Sequence, residues 1–370
     1  MKNVVVSAAS LRMGGAVTIY NQFIKHLREE IGDCHYFIFV NKVVSTPDID
    51  GVRYYVIDIE SRSKRQWFDN KGCKEILNAE GFNPDYVISL QNTGVKCLAE
   101  LPQLVYYHQS LPFFNKSWNP FKKDERSKFL YKHFYLHFVR KTITSHTHFA
   151  VQTKIMKENL VKRLSIAKDR VHVCFPDVDL PDIEHIKVYP FPEDKINLIY
   201  PSLYAPHKEH KVLLNALSLM KQVDSQRLKD VRLYFTVNID EAPNLCRYVK
   251  KNNLNDIVVF MGRLPYEETL SLYRSAHAML FPSPIETLGL PLIEAAAFGL
   301  KIVAPDVPYA HEVLEGYEGV EYAISENPKS WAERIAEVVK QPKQRYSVFH
   351  PKNKEGWKEF FNLFSDNSAC

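Results

Sequence analysis

Two glutamates, Glu286 and Glu294, stand in a stretch that is mostly apolar or small, FPSPIETLGLPLIEAAAFGLKIVAPDVP (281–308). The pattern predicts a helix over about 288–298, with Gly299 just past its end. Glu286 would lie immediately before the helix, beside backbone N–H groups that suit a phosphate. Glu294 would lie roughly two turns further on, where a carboxylate can accept hydrogen bonds from the vicinal hydroxyls of a ribose. The pair therefore indicates a binding site for a sugar or a nucleotide.

A structural interpretation of the same two residues stays open. Glu286 could simply complement the helix dipole, and Glu294 could be an ordinary solvent-exposed helix residue. The flanking segments PLI and AAAFG leave little polar face on this helix, however, which favours the functional interpretation.

The elements that must position these residues follow an alternating pattern of apolar β-branched runs and amphipathic helices, which is typical of parallel α/β sheets. The pattern runs through about 1–180 and restarts at about 190–348, with an irregular Pro- and acid-rich linker (177–194) between. A chain of 370 residues suits two domains. We expect the last helical segment, 350–370, to pack back on the first domain. Ligands would bind in a cleft beyond the carboxyl ends of the strands.

Composition excludes several classes of protein. No apolar run reaches the ~20 residues of a membrane span, and the N-terminus lacks the features of a signal peptide, so we expect a cytoplasmic protein. The six cysteines are scattered without a CxxC pair, which argues against a zinc site or a disulfide framework. No G-x-G-x-x-G follows the first predicted strand, so a Rossmann dehydrogenase is disfavoured.

The glutamates and their surroundings resemble a known family signature. Glu286 and Glu294, with seven residues between them, follow Pro-Ser and precede a Gly, as in the E-x7-E motif of retaining GT-B glycosyltransferases of family 4 (glycosyl transferases group 1). The resemblance is strong over 258–312, moderate at HKEHKVLLNAL (207–217) and at GGA (14–16), and weak elsewhere. It implies two Rossmann-like β/α/β domains facing across a cleft, the first binding an acceptor and the second a nucleotide-sugar.

The resemblance also implies roles for residues of the second domain. Glu294 would bind the ribose of the nucleotide-sugar, and Glu286 would contact the transferred sugar. Further donor contacts would come from the loop and helix start that separate the two glutamates and from the base-binding loop. These residues are Thr287, Leu288, Gly289, Leu290, Arg263 and Leu264.

A lysine of the family's second domain matches Lys208, whose ammonium would neutralise the departing diphosphate, with Lys211 as the alternative. The family often places an arginine about five residues earlier. This sequence has Leu203 there, a departure that puts the usual Arg/Lys pair in doubt. Arg263 is the candidate that could substitute for the missing arginine.

In the first domain, Gly14 and Gly15 resemble the family's glycine loop, which would let donor phosphate and acceptor approach closely. His108 follows a predicted strand, at a place where the family has a histidine that touches the sugar. Gln91 and Asn92 follow the preceding strand and are further polar candidates. A turn-forming role for the glycines and a structural role for His108 are the alternatives.

The chemistry that the resemblance implies is transfer of a hexosyl or N-acetylhexosaminyl group from a UDP- or GDP-sugar with retention of configuration. We find no DxD-type metal motif and expect no metal or other cofactor; Lys208 and the helix N-terminus would stabilise the leaving group. No side chain stands out as a covalent nucleophile, so a front-face reaction is preferred. Family habit suggests a glycan or polyprenyl-diphosphate-linked acceptor in bacterial surface polysaccharide synthesis, as for O-antigen or capsule.

A basic, aromatic segment, KSWNPFKKDERSKFLYKHFYLHFVRK (116–141), carries eight Lys/Arg against one Asp and one Glu. It predicts a helix lying on an anionic membrane surface, which would make the protein peripheral to the inner face of the membrane. A core helix with one charged face is the alternative. No nucleic-acid-binding motif accompanies the charge.

Two other functions compatible with these residues stay open. One is a nucleotide-sugar 2-epimerase of the same fold, against which the E-x7-E motif with Lys208 argues. The other is a catalytically silent nucleotide-sugar-binding protein, which the missing arginine favours.

Overall fold

The structure is a computed structural model that describes residues 2–12, 14–116, 118–122, 125–178, 182–351 and 355–365. Its internal contacts divide the chain into two compact units. Unit 1 comprises Met1–Asp177 together with Asn353–Cys370, and unit 2 comprises Val178–Lys352. Each unit is a Rossmann-like parallel sheet covered by helices, so the predicted α/β class with two such domains is confirmed.

Unit 1 is built on a seven-stranded, all-parallel sheet in the order β3-β2-β1-β4-β5-β6-β7. The strands are β1 (Lys2–Ser7), β2 (Cys34–Val40), β3 (Val52–Val56), β4 (Tyr86–Ser89), β5 (Gln103–Tyr107), β6 (Thr147–Val151) and β7 (Val171–Val173). Val4, Val5 and Val6 of β1 are all fully buried, although their side chains point alternately to opposite faces. Helices therefore cover both faces, as parallel sheets require.

The first five helices lie in unit 1. They are α1 (Gly15–Glu30), α2 (Arg62–Trp67), α3 (Cys73–Ala79), α4 (Arg126–Arg140) and α5 (Lys154–Leu164). A π-helical turn at Phe68–Gly72 joins α2 to α3. Helix α2 has no apolar period by which it could be predicted, because its six residues are polar apart from Trp67 and none of them is buried.

Unit 2 has a six-stranded parallel sheet in the order β10-β9-β8-β11-β12-β13. Its strands are β8 (Ile196–Tyr200), β9 (Val231–Phe235), β10 (Val258–Phe260), β11 (Ala278–Leu280), β12 (Lys301–Pro305) and β13 (Val320–Ala323). The direction of strand addition reverses between β8 and β11, as it does between β1 and β4 in unit 1. Such a switch point is where α/β sheets commonly bind ligands.

The helices of unit 2 are α6 (His210–Val223), α7 (Pro243–Lys251), α8 (Tyr266–Ser275), α9 (Leu290–Ala297), α10 (Pro308–Val313) and α11 (Pro328–Lys340). The last helix of the described residues, α12 (Gly356–Ser365), belongs to unit 1. Helices α5, α7 and α10 and strand β13 are elements that the sequence pattern did not predict.

Helix α12 supplies part of the hydrophobic core of unit 1. Trp357, Phe360, Phe361 and Phe364 are each no more than 2% exposed. The ring of Phe361 stacks on Phe23 of α1 with centroids 5.5 Å apart. Full burial of a large apolar side chain stabilises a fold by roughly 1.5–3 kcal/mol, so these four residues make α12 an integral part of unit 1.

The predicted linker is held against unit 2 where it is described. Residues 182–191 contain a short 3₁₀ turn, Ile183–His185, and the guanidinium of Arg274 in α8 donates to the carbonyl oxygens of Ile183 and Glu184 at 3.1 and 2.9 Å. Asp179, Leu180 and Pro181 lie outside the described residues. The segment therefore has fixed contacts, although it carries no regular secondary-structure period.

Among the described residues, none of the helices combines the length and the apolar composition needed to cross a membrane.

Candidate functional site

The switch point of unit 2 brings together Lys208 and Glu286. Lys208 ends a short 3₁₀ turn after β8, and Glu286 lies in the loop between β11 and α9. The Nζ atom of Lys208 is 2.5 Å from Oε1 of Glu286. Their side chains are 21% and 18% exposed, so the pair is half-buried and still reachable from solvent. An ammonium held this way can stabilise negative charge that develops on a bound group.

Hydrogen bonds from both sides fix the pair. The hydroxyl of Ser283 donates to Oε1 of Glu286 at 2.6 Å, and the hydroxyl of Tyr309 donates to the carbonyl of Ser283. The hydroxyl of Tyr200, at the end of β8, donates to the carbonyl of Lys208 at 2.7 Å. Burial raises the pKa of both tyrosines, so they are hydrogen-bond donors at neutral pH. The two charged side chains thus sit on a rigid frame.

Helix α9 begins two residues later than predicted, because Gly289 adopts a left-handed conformation with φ +79° and ψ 49° as its N-cap. A Cβ at Gly289 would also lie 3.2 Å from the Tyr309 ring. No side-chain hydrogen bond caps this helix start. Pro291 has no N–H, and the Leu292 amide donates to the Gly289 carbonyl at 2.9 Å, so an anion here would have to be bound by the amides that precede Pro291. Gly299, with φ +62°, follows the end of the helix as predicted.

Glu294 lies in α9 between two phenols of α8. Oε1 accepts a hydrogen bond from Tyr266 at 3.2 Å, and Oε2 accepts one from Tyr273 at 3.1 Å. Burial raises the pKa of Glu294 above its ordinary value, and the two phenolic donors act in the opposite direction. Glu294 is therefore a partly buried carboxylate, in contrast to the solvent-exposed residue of the structural interpretation.

The remaining cations considered from the sequence have other partners. The guanidinium of Arg263 is 60% exposed and pairs with Glu241 at 2.7 Å. Lys211, the alternative to Lys208, places its ammonium over the ring of Tyr248, 5.9 Å from the centroid. Leu203, at the place of the family arginine, is 54% exposed. Lys208 is thus the cation that contacts Glu286.

Other predicted donor contacts lie in the loops of unit 2. Leu288 is buried, whereas Thr287 and Leu264 are partly buried. The base-binding loop candidate starts at Gly262, whose φ is +81°, and Asn238 accepts a hydrogen bond from the Arg263 amide at 3.2 Å. This asparagine fixes the loop and was not singled out from the sequence.

His108 follows β5 in unit 1 and is partly buried. Its amide donates to Oδ1 of Asn92 at 2.6 Å, and its Nε2 lies 3.1 Å from the carbonyl of Leu90. That carbonyl requires Nε2 to carry the hydrogen, which leaves Nδ1 as an acceptor. Burial lowers the pKa of His108, so the ring is neutral at pH 7.

The switch point of unit 1 also holds a polar cluster that sequence reasoning missed in part. Gln91 lies there, and the guanidinium of Arg65 donates to its Oε1 as well as to Thr93 Oγ1 and Asp69 Oδ2, the last two at 3.0 and 2.5 Å. Nearby, Gly14 caps α1 with φ +60° and ψ −145°, a conformation open essentially only to glycine. Arg65 could not be found by pattern because α2 lacks an apolar period.

The described residues contain no group of three or more His, Cys, Asp or Glu side chains arranged to hold a metal ion.

Residues 182–353 match the family model described as "Glycosyl transferases group 1". Among curated proteins, the O-antigen chain mannosyltransferase RfbU of Salmonella typhimurium is 25% identical over 217 residues, covering 58% of this chain and 57% of that protein. The chain spans about half the length of the curated relatives it matches.

Solved structures resemble the whole chain in fold. The apo form of the lipopolysaccharide outer core galactosyltransferase WaaB has a TM-score of 0.65 at 15% identity, covering 99% of this chain and 100% of its own. Anabaena Alr3699/HepE in complex with UDP-glucose has a TM-score of 0.65 at 14% identity, with the same coverage. At such identities the likeness shows the fold alone, which is GT-B.

Proposed function

We propose that the chain is a glycosyltransferase that moves a sugar from a nucleoside diphosphate sugar to a glycan or lipid-linked glycan. The observation that carries the proposal is the contact between Lys208 and Glu286 at the switch point of unit 2. The match of residues 182–353 to the group 1 family model supports it. So does the similarity to a mannosyltransferase.

In this proposal, unit 2 binds the ribose, the diphosphate and the transferred sugar of such a donor. The carboxylate of Glu294 accepts the ribose hydroxyls, and Glu286 accepts a hydroxyl of the transferred sugar. The N-terminus of α9 donates to the diphosphate, and Gly289 permits its close approach. The donor class we propose is a UDP- or GDP-sugar, as in the UDP-glucose complex of the Anabaena protein.

The reaction breaks the bond between the anomeric carbon and the diphosphate oxygen, and the electron pair leaves with the diphosphate. Lys208 stabilises that charge as it develops. The acceptor hydroxyl attacks from the same face of the sugar and gives its proton to the departing phosphate, so configuration is retained. This front-face course, with no metal and no covalent enzyme intermediate, is part of the proposal.

Unit 1 is the acceptor-binding part in this proposal. His108 is neutral at pH 7, because burial lowers its pKa, so in this proposal it contacts a sugar hydroxyl without carrying charge. The glycine loop at Gly14 and Gly15 leaves open space where side chains would otherwise project. The acceptor would be a growing O-antigen or capsule glycan, carried on a polyprenyl diphosphate.

A thermal-shift screen against UDP, GDP, ADP, CMP and their common sugar conjugates tests the donor site. A ligand at ~100 times its dissociation constant stabilises the fold by about 2.7 kcal/mol, which moves the melting temperature measurably. We expect one nucleoside diphosphate to shift the wild type and to lose that effect in Glu294→Ala. No shift with any of these ligands would contradict the proposal.

A product assay separates transferase from epimerase. The wild type is incubated with the stabilising nucleotide-sugar and a lipid-linked glycan acceptor, and free nucleoside diphosphate is measured with and without the acceptor. A transferase releases the diphosphate in proportion to the acceptor glycosylated. Conversion of the donor into its epimer, with no acceptor glycosylated, would instead establish the epimerase alternative.

We further propose that α4 contacts an anionic membrane surface, which would place the protein on the cytoplasmic face. Leu136 and Val139 of this helix are buried, whereas Phe134 and Phe138, one turn apart, are each 50% exposed. Phe121, just before the helix, is 95% exposed. Exposed aromatic rings in a basic segment suit the boundary between lipid head groups and acyl chains. Ser117, Lys123 and Asp124 of the segment lie outside the described residues.

Vesicle sedimentation tests this contact. We expect the protein to bind vesicles that contain roughly a third anionic lipid, because such lipid gives the vesicle a negative surface potential. High salt screens that potential, so the protein should then be released. Replacing both Phe134 and Phe138 with Ser should abolish binding without changing the melting temperature, because both rings are half-exposed. Unchanged vesicle binding by the double variant would refute the contact.

A further inference from the structure

The two phenols that hold Glu294 come from one face of one helix. Tyr266 and Tyr273 are seven residues apart, which corresponds to about two turns of α8, so both point towards α9. Each donates to a different oxygen of the carboxylate, at 3.2 and 3.1 Å. The orientation of Glu294 is therefore set by two hydrogen bonds that lie on opposite sides of the carboxylate.

The two tyrosines differ in their surroundings. Tyr273 is fully buried, and its ring lies 5.9 Å from that of Phe298. Tyr266 is the first residue of α8 and is 51% exposed. Tyr273 thus faces the protein interior, and Tyr266 lies on the side of Glu294 that is open to solvent.

A ribose would approach Glu294 from the side of the exposed Tyr266, because Tyr273 is fully buried. Its hydroxyls need the carboxylate oxygens as acceptors, and Oε1 already accepts the hydroxyl of Tyr266. A carboxylate oxygen can accept more than one hydrogen bond, so the competition is for the exposed position beside Oε1, which the phenol occupies and the ribose hydroxyl must reach. Tyr273, on the interior side, does not stand in the way and keeps Oε2 in place.

We propose that Tyr273 is a positioning residue for Glu294 and that Tyr266 is a competitor which a ribose hydroxyl displaces when a ribonucleoside diphosphate binds. The inference rests on the proposed function, because it takes Glu294 as the ribose acceptor. It assigns opposite effects to two chemically identical groups. Removing the hydroxyl of Tyr266 strengthens nucleotide binding, and removing the hydroxyl of Tyr273 weakens it.

Isothermal titration with UDP and with GDP tests the pair. For the nucleotide that binds the wild type, we expect Tyr266→Phe to lower the dissociation constant by about fivefold and Tyr273→Phe to raise it by about fivefold, the ratio for one net hydrogen bond. Tyr317→Phe is the matched control, since it removes a buried hydroxyl that donates to the carbonyl of Leu300 at 2.7 Å elsewhere in unit 2. It should leave the dissociation constant unchanged, although it lowers the melting temperature as Tyr273→Phe does.

The 2′,3′-dideoxy forms of the same nucleotides distinguish an effect on ribose binding from a general effect on the structure of unit 2. They have no ribose hydroxyl to offer Glu294, so Tyr266→Phe and Tyr273→Phe should bind them with the affinity of the wild type. Weaker UDP or GDP binding by Tyr266→Phe, or equal binding by Tyr273→Phe, would overturn the inference alone. A wild type that binds neither UDP nor GDP would overturn the proposed donor site, and the inference with it.

Discussion

At the scale of single residues, Lys208 is the group on which the proposed chemistry depends most. Its ammonium contacts Glu286, and the hydroxyl of Tyr200 fixes its backbone. Lys211, three residues later, carries the same charge but lies over the ring of Tyr248. Two lysines so close in sequence thus have different surroundings, and of the two it is Lys208 that contacts Glu286.

Replacing Lys208 with Met should reduce turnover by ~100–1000-fold, because one stabiliser of transition-state charge is lost. The dissociation constant of the nucleoside diphosphate should change much less than turnover does. Lys211→Met is the matched control and should keep the wild-type rate. Steady-state kinetics on both variants decides the point: if Lys211→Met is the impaired one, the roles of the two lysines are exchanged.

At the scale of elements, the two adjacent glycines at the start of α1, Gly14 and Gly15, differ in whether the backbone requires a glycine. The backbone at Gly14 has φ +60°, a conformation that favours glycine. Gly15 is the first residue of the helix and does not have a positive φ. A Cβ at either position would meet nothing within 4 Å. Backbone conformation, not space within the fold, therefore distinguishes them.

Gly14→Ala should destabilise unit 1 by about 1–3 kcal/mol, because alanine cannot adopt that conformation without strain. Gly15→Ala should be neutral or slightly stabilising, since alanine favours a helix. Urea unfolding curves measure both changes. A Gly15→Ala variant that keeps its stability but loses transferase activity would support close approach of a ligand to this loop; equal losses of stability in both variants would contradict the conformational argument.

The elements also show what the sequence could and could not predict. Strands β8 and β11 and the helix after them have strong local patterns, so the position of Glu286 next to a helix start followed from the sequence. The contact of Tyr266 with Glu294 joins residues 28 positions apart, and no local period encodes it. The late start of α9 depends on the left-handed Gly289, which pattern reasoning treated only as a point of close approach.

At the scale of the whole molecule, one buried histidine and two partly buried ones make the stability depend on pH. Burial lowers the pKa of His172 in unit 1 to about 4, and in unit 2 it lowers those of His210 and His277 to about 3 and about 4. In the unfolded chain these groups take up a proton near pH 6.5. Their neutral forms are compatible with the fold; for example, Nδ1 of His277 accepts the amide of Asn197 at 3.0 Å.

The stability should therefore be fully present above about pH 6.5 and fall as the pH drops from there towards 4, because the unfolded state binds more protons in that range. The slope of the unfolding free energy against pH measures how many protons the chain takes up on unfolding. His210→Phe should reduce that number by about one for unit 2. Its ring nitrogens have no hydrogen-bond partner within the described structure, and aromatic rings surround it. Urea midpoints between pH 4.5 and 7.5 provide the measurement, and an unchanged slope would exclude His210 as a source of the acid sensitivity.

The placement of α12 has a consequence for biosynthesis. Unit 1 needs Trp357 and its aromatic neighbours in its core, yet the ribosome makes them only after the whole of unit 2. At typical rates of about 5–20 residues per second, the first 177 residues wait roughly 10–35 s for their last helix. During that interval the apolar surface that α12 later covers is open to chaperones or to a second nascent chain. A stop codon placed anywhere in unit 2 would leave unit 1 without its last helix, even though most of its sequence is present.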